Sequence, residues 1–169
     1  MYFKIFSIII ILHLFQQHKS IKNRFQNIKN IQENLVKEEI FWKKLNDLNL
    51  NGYILSNNST CNKVIIYTRM PILFCFDLLD NLSYFPKLIS PSKKITEDIL
   101  DKSFKDVLSR NLGGIIDPEI KNIYEAKNFD NWKNLNKLFS LNVVIVPKDW
   151  KLNIDNLLID DLYKVYKIN

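Results

Sequence analysis

The sequence LNVVIV at positions 141–146 carries the strongest strand signal in the chain. Valine and isoleucine are β-branched, and such residues favour the extended backbone of a buried strand. The sequence PKDW at positions 147–150 then ends the strand with a turn. Just before the strand, apolar residues recur at helical spacing after Asp130, which predicts a helix that leads into it with one apolar side formed by Trp132, Leu135, Leu138 and Phe139. A helix followed by a buried strand is typical of an α/β fold.

Further strands and helices alternate outward from this pair. Apolar runs predict strands at 52–56, 63–67, 72–76 and 163–168, with a polar loop at 57–62 and an irregular stretch at 77–91. Ser92 can cap one helix, and Asp117 places a capping carboxylate before Pro118 at the start of another. We therefore expect an α/β domain with a small mixed sheet of about 4–5 strands flanked by helices, preceded by an N-terminal apolar membrane helix.

The chain begins with an apolar segment, IFSIIIILHLF at positions 5–15, directly after Lys4. This run is shorter than the roughly 20 residues that cross a bilayer, and no small-x-small cleavage pattern follows it. Its isoleucines cover every side of a helix, which disfavours a surface helix and leaves a buried helix of a soluble core as the alternative to a membrane segment. We expect an uncleaved signal-anchor, a marginal span in which Lys4 reaches the interface, or the end of a longer transmembrane helix.

Three segments follow from these patterns. Residues 1–18 are expected to form the membrane anchor or the end of a transmembrane helix. Residues 19–50 are expected to form an amphipathic connecting helix, because apolar residues recur every three or four positions from 21 to 48. Residues 51–169 are expected to form the small α/β domain.

Positive charge is concentrated near the N-terminus. Residues 1–44 carry eight bases and three acids, a net charge of +5, whereas residues 45–169 carry 16 bases and 15 acids, a net charge of +1. The body has no basic stripe interleaved with aromatic residues, so we expect no nucleic-acid partner. The bases after the apolar segment favour a cytoplasmic body under the positive-inside rule. A signal-anchor favours the opposite, extracytoplasmic side.

The composition excludes several classes of enzyme. The chain has three glycines and no Gly-rich phosphate-binding motif. Its two histidines, His13 and His18, lie in or just past the apolar segment, so the rest of the chain lacks an imidazole for a catalytic triad or a zinc site. We therefore expect no cofactor, no metal and no assigned catalytic residue.

One loop region offers a candidate binding site. Asp77 and Asp80 follow the predicted strand at 72–76, with Arg69 before that strand and Tyr84 further along. Loops after strand ends are where α/β sheets bind ligands, and two carboxylates can perform acid–base chemistry. A structural role for both carboxylates, as loop caps or solvated groups, is the favoured interpretation because no third carboxylate or histidine stands at a fixed spacing.

The two cysteines allow two interpretations. Cys75 lies inside the apolar run 72–76, which favours a buried and inert thiol. A disulfide between Cys61 and Cys75 requires an oxidising compartment and two neighbouring strands that bring the cysteines together.

The sequence TRMPILFCFDLLDNLSYFP at positions 68–86 contains T-R-x-P followed by L-D-x-L-x-Y-x-P. This pattern resembles the soluble C-terminal domain of bacterial polytopic membrane proteins, which themselves resemble integral-membrane glycosyltransferases that use lipid-linked sugars. The segments 39–55, 132–150 and 163–168 are similar to the entry, closing turn and terminal strand of such domains. The resemblance implies an extracytoplasmic body without the catalytic acids, which in those proteins lie between early membrane helices.

The leading expectation is therefore a non-catalytic, membrane-anchored α/β domain, the terminal piece of a glycosyltransferase-like polytopic membrane protein. Its partners would be the membrane, through the N-terminal segment, and a polytopic membrane protein, and it could help to hold a glycan or a lipid-linked substrate. One alternative is a small hydrolase or transferase with its site at Arg69, Asp77, Asp80 and Tyr84. A second alternative is a cytoplasmic interaction module tethered to the membrane.

Overall fold

The computed structural model describes residues 2–108 and 117–168, and for residues 2–22, 25, 77, 78, 80 and 81 it describes the backbone alone. The chain divides into two compact units, Met1–Ile40 and Phe41–Asn169. Helix α1, Tyr2–Asp47, forms the described part of the first unit, and its last residues, from Phe41 on, are part of the second unit.

The second unit contains the sheet and the remaining helices. In chain order its elements are β1 (Tyr53–Ser56), α2 (Asn58–Tyr67), β2 (Ile72–Phe74), two 3-10 helices (Phe76–Tyr84 and Pro86–Leu88), α3 (Ile89–Leu100), α4 (Phe104–Leu108), α5 (Asp117–Ala126), α6 (Phe129–Phe139), β3 (Leu141–Pro147), β4 (Asn156–Ile159) and β5 (Tyr163–Lys167).

Within the described residues, five strands form one mixed sheet in the order β2-β1-β3-β5-β4. Strands β1, β2 and β3 are parallel to one another, and β5 is antiparallel to both β3 and β4. The prediction of a small mixed sheet flanked by helices is confirmed. The strand predicted at 141–146 is central, which fits its continuous run of buried β-branched residues.

Helices cover both faces of the sheet. On one face, Phe41 and Leu45 of α1 and Val64 of α2 pack with Ile54 and other side chains of the sheet. On the opposite face, the adjacent residue Leu55 packs with side chains of α3 to α6, including the fully buried Trp132. Successive residues of a strand point to opposite faces, so the two apolar layers follow from the alternation in β1. Trp150, like Trp132, is a buried core residue.

The strand predicted at 63–67 and the polar loop predicted at 57–62 are wrong. Helix α2 spans both segments apart from its N-cap Asn57, and its buried residues Thr60, Cys61 and Val64 are spaced as one helical face. The run of β-branched residues in α2 includes Ile65 and Ile66, which are exposed, so the pattern that favours a strand does not line the core here. The fifth strand is instead β4, which the sequence patterns do not indicate.

The stretch predicted as irregular, 77–91, contains the two 3-10 helices and the start of α3. Helix α3 begins at Ile89, earlier than the predicted cap at Ser92, and Ser92 is a buried residue inside it. Pro91 is tolerated because it lies in the first turn, where a backbone N–H has no partner inside the helix.

The start of β1 depends on a close approach between backbone segments. Gly52 has a φ of +85°, and a Cβ at this position would collide with Nδ2 of Asn142 and lie 2.9 Å from the carbonyl oxygen of Ser140. That Nδ2 donates a hydrogen bond to the carbonyl of Asn51 at 2.9 Å. The glycine therefore lets β1 enter the sheet directly beside β3.

Among the residues whose side chains are described, no helix is long and apolar enough to cross a membrane. The apolar segment 5–15 lies outside that set. The membrane helix predicted from it stays a prediction.

Candidate functional site

The carboxyl ends of β1 and β3 form the topological switch point of the sheet. From β1 the chain passes through α2, on the face that α1 also covers, to β2 on one side. From β2 it passes through α3 to α6, on the opposite face, to β3 on the other side of β1. Open α/β sheets bind ligands in the crevice at such a point. The residues that follow β1 and β3 are therefore the first place to look for a site.

A side chain of the protein itself occupies this position. The carboxylate of Asp117 accepts hydrogen bonds from the backbone amides of Asn58 at 2.9 Å and Ser59 at 3.3 Å. It also accepts one from Nδ2 of Asn57 at 2.7 Å. Asn57 precedes α2 and its own side chain makes no cap hydrogen bond. Asp117 therefore caps α2 from the first residue of α5, and its negative charge lies at the positive end of the α2 dipole.

Tyr124 lies beside this cap in α5. It is fully buried, and its hydroxyl donates a hydrogen bond to the carbonyl of Ser56, the last residue of β1, at 3.3 Å. Burial raises the pKa of the Tyr124 hydroxyl well above its ordinary value, and the nearby charge of Asp117 raises it further. The hydroxyl is thus held neutral as a hydrogen-bond donor to the strand end.

The turn after β3 is fastened to the same helix. Nζ of Lys121 pairs with the carboxylate of Asp149, and Oε1 of Glu125 accepts a hydrogen bond from the amide of Lys151 at 2.7 Å. The hydrogen bond from Lys121 lowers the pKa of Asp149, and the hydrogen bond to Asp149 raises the pKa of Lys121. Helix α5 therefore holds both strand ends of the switch point through Asp117, Lys121, Tyr124 and Glu125.

The contacts of Asp117 close the carboxyl ends of the strands at the switch point. The first amides of α2, which could bind an anionic ligand, are already bonded to Asp117. Asn57 is fully buried, and its Oδ1 has no hydrogen-bond partner among the described residues. Within the described part of the chain, no group of three or more His, Cys, Asp or Glu residues could hold a metal ion.

The residues of the loop predicted from sequence lie on both sides of β2. Arg69 precedes β2, while Asp77, Asp80 and Tyr84 belong to the 3-10 helix after it. Tyr84 is 78% exposed. The side chains of Asp77 and Asp80 lie outside the described residues. The two ends of a strand lie at opposite edges of a sheet, so Arg69 lies at the amino end of β2 and the other three residues lie beyond its carboxyl end. A site formed by all four residues stays a prediction.

Arg69 instead borders a cavity at the amino edge of the sheet. The cavity has a volume of about 450 Å³ and is lined by residues of the α1–β1 connection, including Asp47 and Asn49, and by Met70. Nδ2 of Asn46, another lining residue, donates a hydrogen bond to the carbonyl of Tyr67 at 2.9 Å. The cavity is polar and carries one arginine, which makes it a second place where a small polar ligand could be accommodated.

The two cysteines form a disulfide, so the favoured interpretation of Cys75 as an inert thiol is wrong. Cys61 lies in α2 and Cys75 directly follows β2, with the Cα atoms 5.8 Å apart. A helix and a strand end bring them together, rather than the two neighbouring strands that the sequence analysis requires. Both side chains are buried, so the bond fastens α2 to the edge strand.

Sequence reasoning missed most of the switch point. It recognised Asp117 as a capping carboxylate but assigned it to the helix that follows, and it assigned no role to Asn57, Lys121 or Tyr124. One usable signal was present, since a polar Asn-Asn-Ser run directly after a short apolar strand is a typical start of a helix at a sheet edge.

Comparisons of the chain with protein families, curated proteins and solved structures find no match.

Proposed function

We propose that the chain is a non-catalytic, membrane-anchored α/β domain whose body lies on the extracytoplasmic side and packs on a membrane partner. The observation that carries the proposal is the buried disulfide between Cys61 and Cys75. Disulfides form and persist in oxidising compartments and are rare in the cytosol. Two cysteines at this spacing, closed into the core between α2 and β2, favour the extracytoplasmic side over the side that the N-terminal lysines suggest.

The described part of α1 supports a role in association. Three apolar side chains, Ile28, Ile31 and Leu35, follow one another at helical spacing and are each more than half exposed. Such a stripe on a helix directly after an apolar segment suits packing against another membrane-associated helix. The resemblance of residues 68–86 points to the same kind of partner, a glycosyltransferase-like polytopic membrane protein of which this chain would be the terminal piece.

The switch point supports a non-catalytic role. In enzymes with this type of sheet the substrate or cofactor occupies the crevice that Asp117 fills here. The Asp117 carboxylate is bonded to three N–H groups and is therefore engaged as a helix cap. The domain would then serve to position a partner, a glycan or a lipid-linked substrate.

The test is a topology experiment on the full chain. Asp155 is exposed in the loop before β4, and an Asp155→Cys variant adds one free thiol beside the native disulfide. In intact spheroplasts of a bacterial host, a membrane-impermeant maleimide should label this variant fully. A Thr96→Cys variant, in which the thiol is buried, is the matched control and should label only after unfolding.

Two outcomes would contradict the proposal. Labelling of Asp155→Cys only after lysis would place the body in the cytoplasm and support the tethered interaction module. Recovery of the whole chain in the soluble fraction without detergent would contradict the proposed membrane anchor.

A further inference from the structure

Four large apolar side chains lie exposed within a six-residue segment, positions 84–89, which follows the edge strand β2 and begins at the last residue of the first 3-10 helix. Tyr84 is 78% exposed, Phe85 57%, Leu88 50% and Ile89 41%. We call these four residues the apolar edge. Large apolar side chains seldom cluster on a surface that faces only water, because removal of their apolar surface from water lowers the free energy.

An apolar cavity opens beneath the apolar edge. Its volume is about 290 Å³, and Phe85 and Leu88 form part of its lining together with Leu73 of β2 and Ile95 of α3. The same two side chains therefore border the cavity and face solvent. A hydrocarbon segment that covers the apolar edge could enter the cavity without a rearrangement of the core.

Between Asp80 and Glu97, the charged residues of the segment that contains the apolar edge are all lysines. Lys87, Lys93 and Lys94 are exposed, and positions 81–96 contain no Asp or Glu. Interleaved aromatic and aliphatic residues with lysines are the composition of surfaces that lie at a membrane interface. Each lysine near an anionic bilayer contributes about 1 kcal/mol to binding, which corresponds to roughly a fivefold change in affinity.

We propose that the apolar edge rests on a bilayer that contains anionic phospholipid, with lipid phosphate groups at Lys87, Lys93 and Lys94 and part of an acyl chain in the cavity. Charge complementarity selects this occupant, because the three lysines match an anionic headgroup layer. The inference goes beyond the proposed function, since it gives the α/β unit its own membrane contact and needs no particular state of residues 1–18.

The test measures the depth of single positions in the full chain. The native disulfide leaves no free cysteine, so Leu88→Cys can be labelled with an environment-sensitive fluorophore without reductant. Leu157→Cys is the matched control, because Leu157 is also a partly exposed leucine, 38% open, but lies on β4 at the opposite edge of the sheet. Near-ultraviolet circular dichroism of both variants verifies the fold.

With vesicles of phosphatidylcholine and phosphatidylglycerol, we expect the label at position 88 to shift to the blue and to be quenched by doxyl-labelled lipid, while the label at 157 does neither. Vesicles of phosphatidylcholine alone, or replacement of the three lysines by glutamate, should remove most of the shift. If the chain floats with the vesicles but the label at position 88 does not shift, the proposed membrane contact of the apolar edge is wrong, while the N-terminal anchor is not contradicted. Equal shifts at both positions, or in both lipid mixtures, would also overturn it.

Discussion

One carboxylate oxygen of Asp117 accepts a hydrogen bond from the backbone amide of Asn58 at 2.9 Å, although the two residues are 59 positions apart in the chain. Asn58 begins α2 on one face of the sheet, and Asp117 begins α5, whose buried residues belong to the apolar layer of the opposite face. The contact therefore joins the two helical layers across the carboxyl edge of the sheet. Loss of this contact should therefore lower the stability of the whole domain.

Replacement of Asp117 by alanine should destabilise the domain by about 1–2 kcal/mol, the cost of a lost helix cap. The amides of Asn58 and Ser59 and Nδ2 of Asn57 would all lose their acceptor. Urea unfolding followed by circular dichroism measures the change.

Asp155→Ala is the control for this variant, because it removes the same charge from an exposed loop position. It should change stability by less than about 0.5 kcal/mol. Equal losses in the two variants would show that the Asp117 cap has no special role.

Helix α2 also shows why part of the fold escaped sequence reasoning. The sequence KVIIY at 63–67 has the β-branched and aromatic composition of a strand. A helix forms there because distant groups fix it, namely Asp117 at its N-terminus and Cys75 bonded to Cys61 in its middle. Strands β1, β3 and β5 were predictable because their own side chains alternate or are buried on both faces. Tertiary contacts of this range leave no mark on local periodicity.

The candidate site was predictable to a smaller extent. Sequence reasoning placed the candidate binding loop after the apolar run 72–76, at the carboxyl end of β2, and so included Asp77 and Asp80. The switch point lies one strand further, between β1 and β3, because the strand order inserts β1 between β2 and β3. Strand order depends on which helices cross which face, and a single sequence without relatives does not contain that information in local form.

Tyr124→Phe should make the domain less sensitive to alkali. The folded-state pKa of Tyr124 is raised by burial, so its stabilising effect is present below the unfolded-state pKa and is lost as the pH rises toward the folded-state pKa. Wild-type stability should therefore fall above about pH 10, where an unfolded tyrosine ionises. The variant should show a shallower fall there.

At neutral pH the same variant should lose about 0.5–1.5 kcal/mol, because the carbonyl of Ser56 loses the hydroxyl donor. Urea unfolding at pH 7 and at pH 10.5 to 11.5, compared for the two proteins, measures both effects. An identical alkaline slope would mean that Tyr124 ionises freely in the folded state.

Lys121→Gln should raise the pKa of Asp149 toward its ordinary range. The hydrogen bond from Lys121 is the largest cause of the lowered pKa of Asp149. A carboxyl with a lowered folded-state pKa stabilises the fold above its unfolded-state pKa, and this contribution is lost as the pH falls through the folded-state value. The variant should thus differ most from the wild type above about pH 4 and converge with it below.

Carboxyl-detected NMR titration of Asp149 measures the shift directly. Lys133→Gln, which removes an exposed lysine of α6, is the control and should leave the Asp149 titration unchanged. If both variants gave the same titration as the wild type, the pairing across the switch point would not exist in solution.

Reduction of the disulfide should destabilise the domain by about 3 kcal/mol, the value expected for a closed loop of this size in the chain-entropy description. Cys61 and Cys75 are 14 positions apart, and the loop between them contains most of α2 and the whole of β2. Urea unfolding of the wild type with and without reductant measures the difference. The double variant Cys61→Ala/Cys75→Ala, which has no thiol to reduce, should unfold at the same urea concentration in both conditions. If the urea midpoint of the wild type does not change with reductant, the two cysteines are not paired. The argument for an oxidising compartment would then be wrong as well.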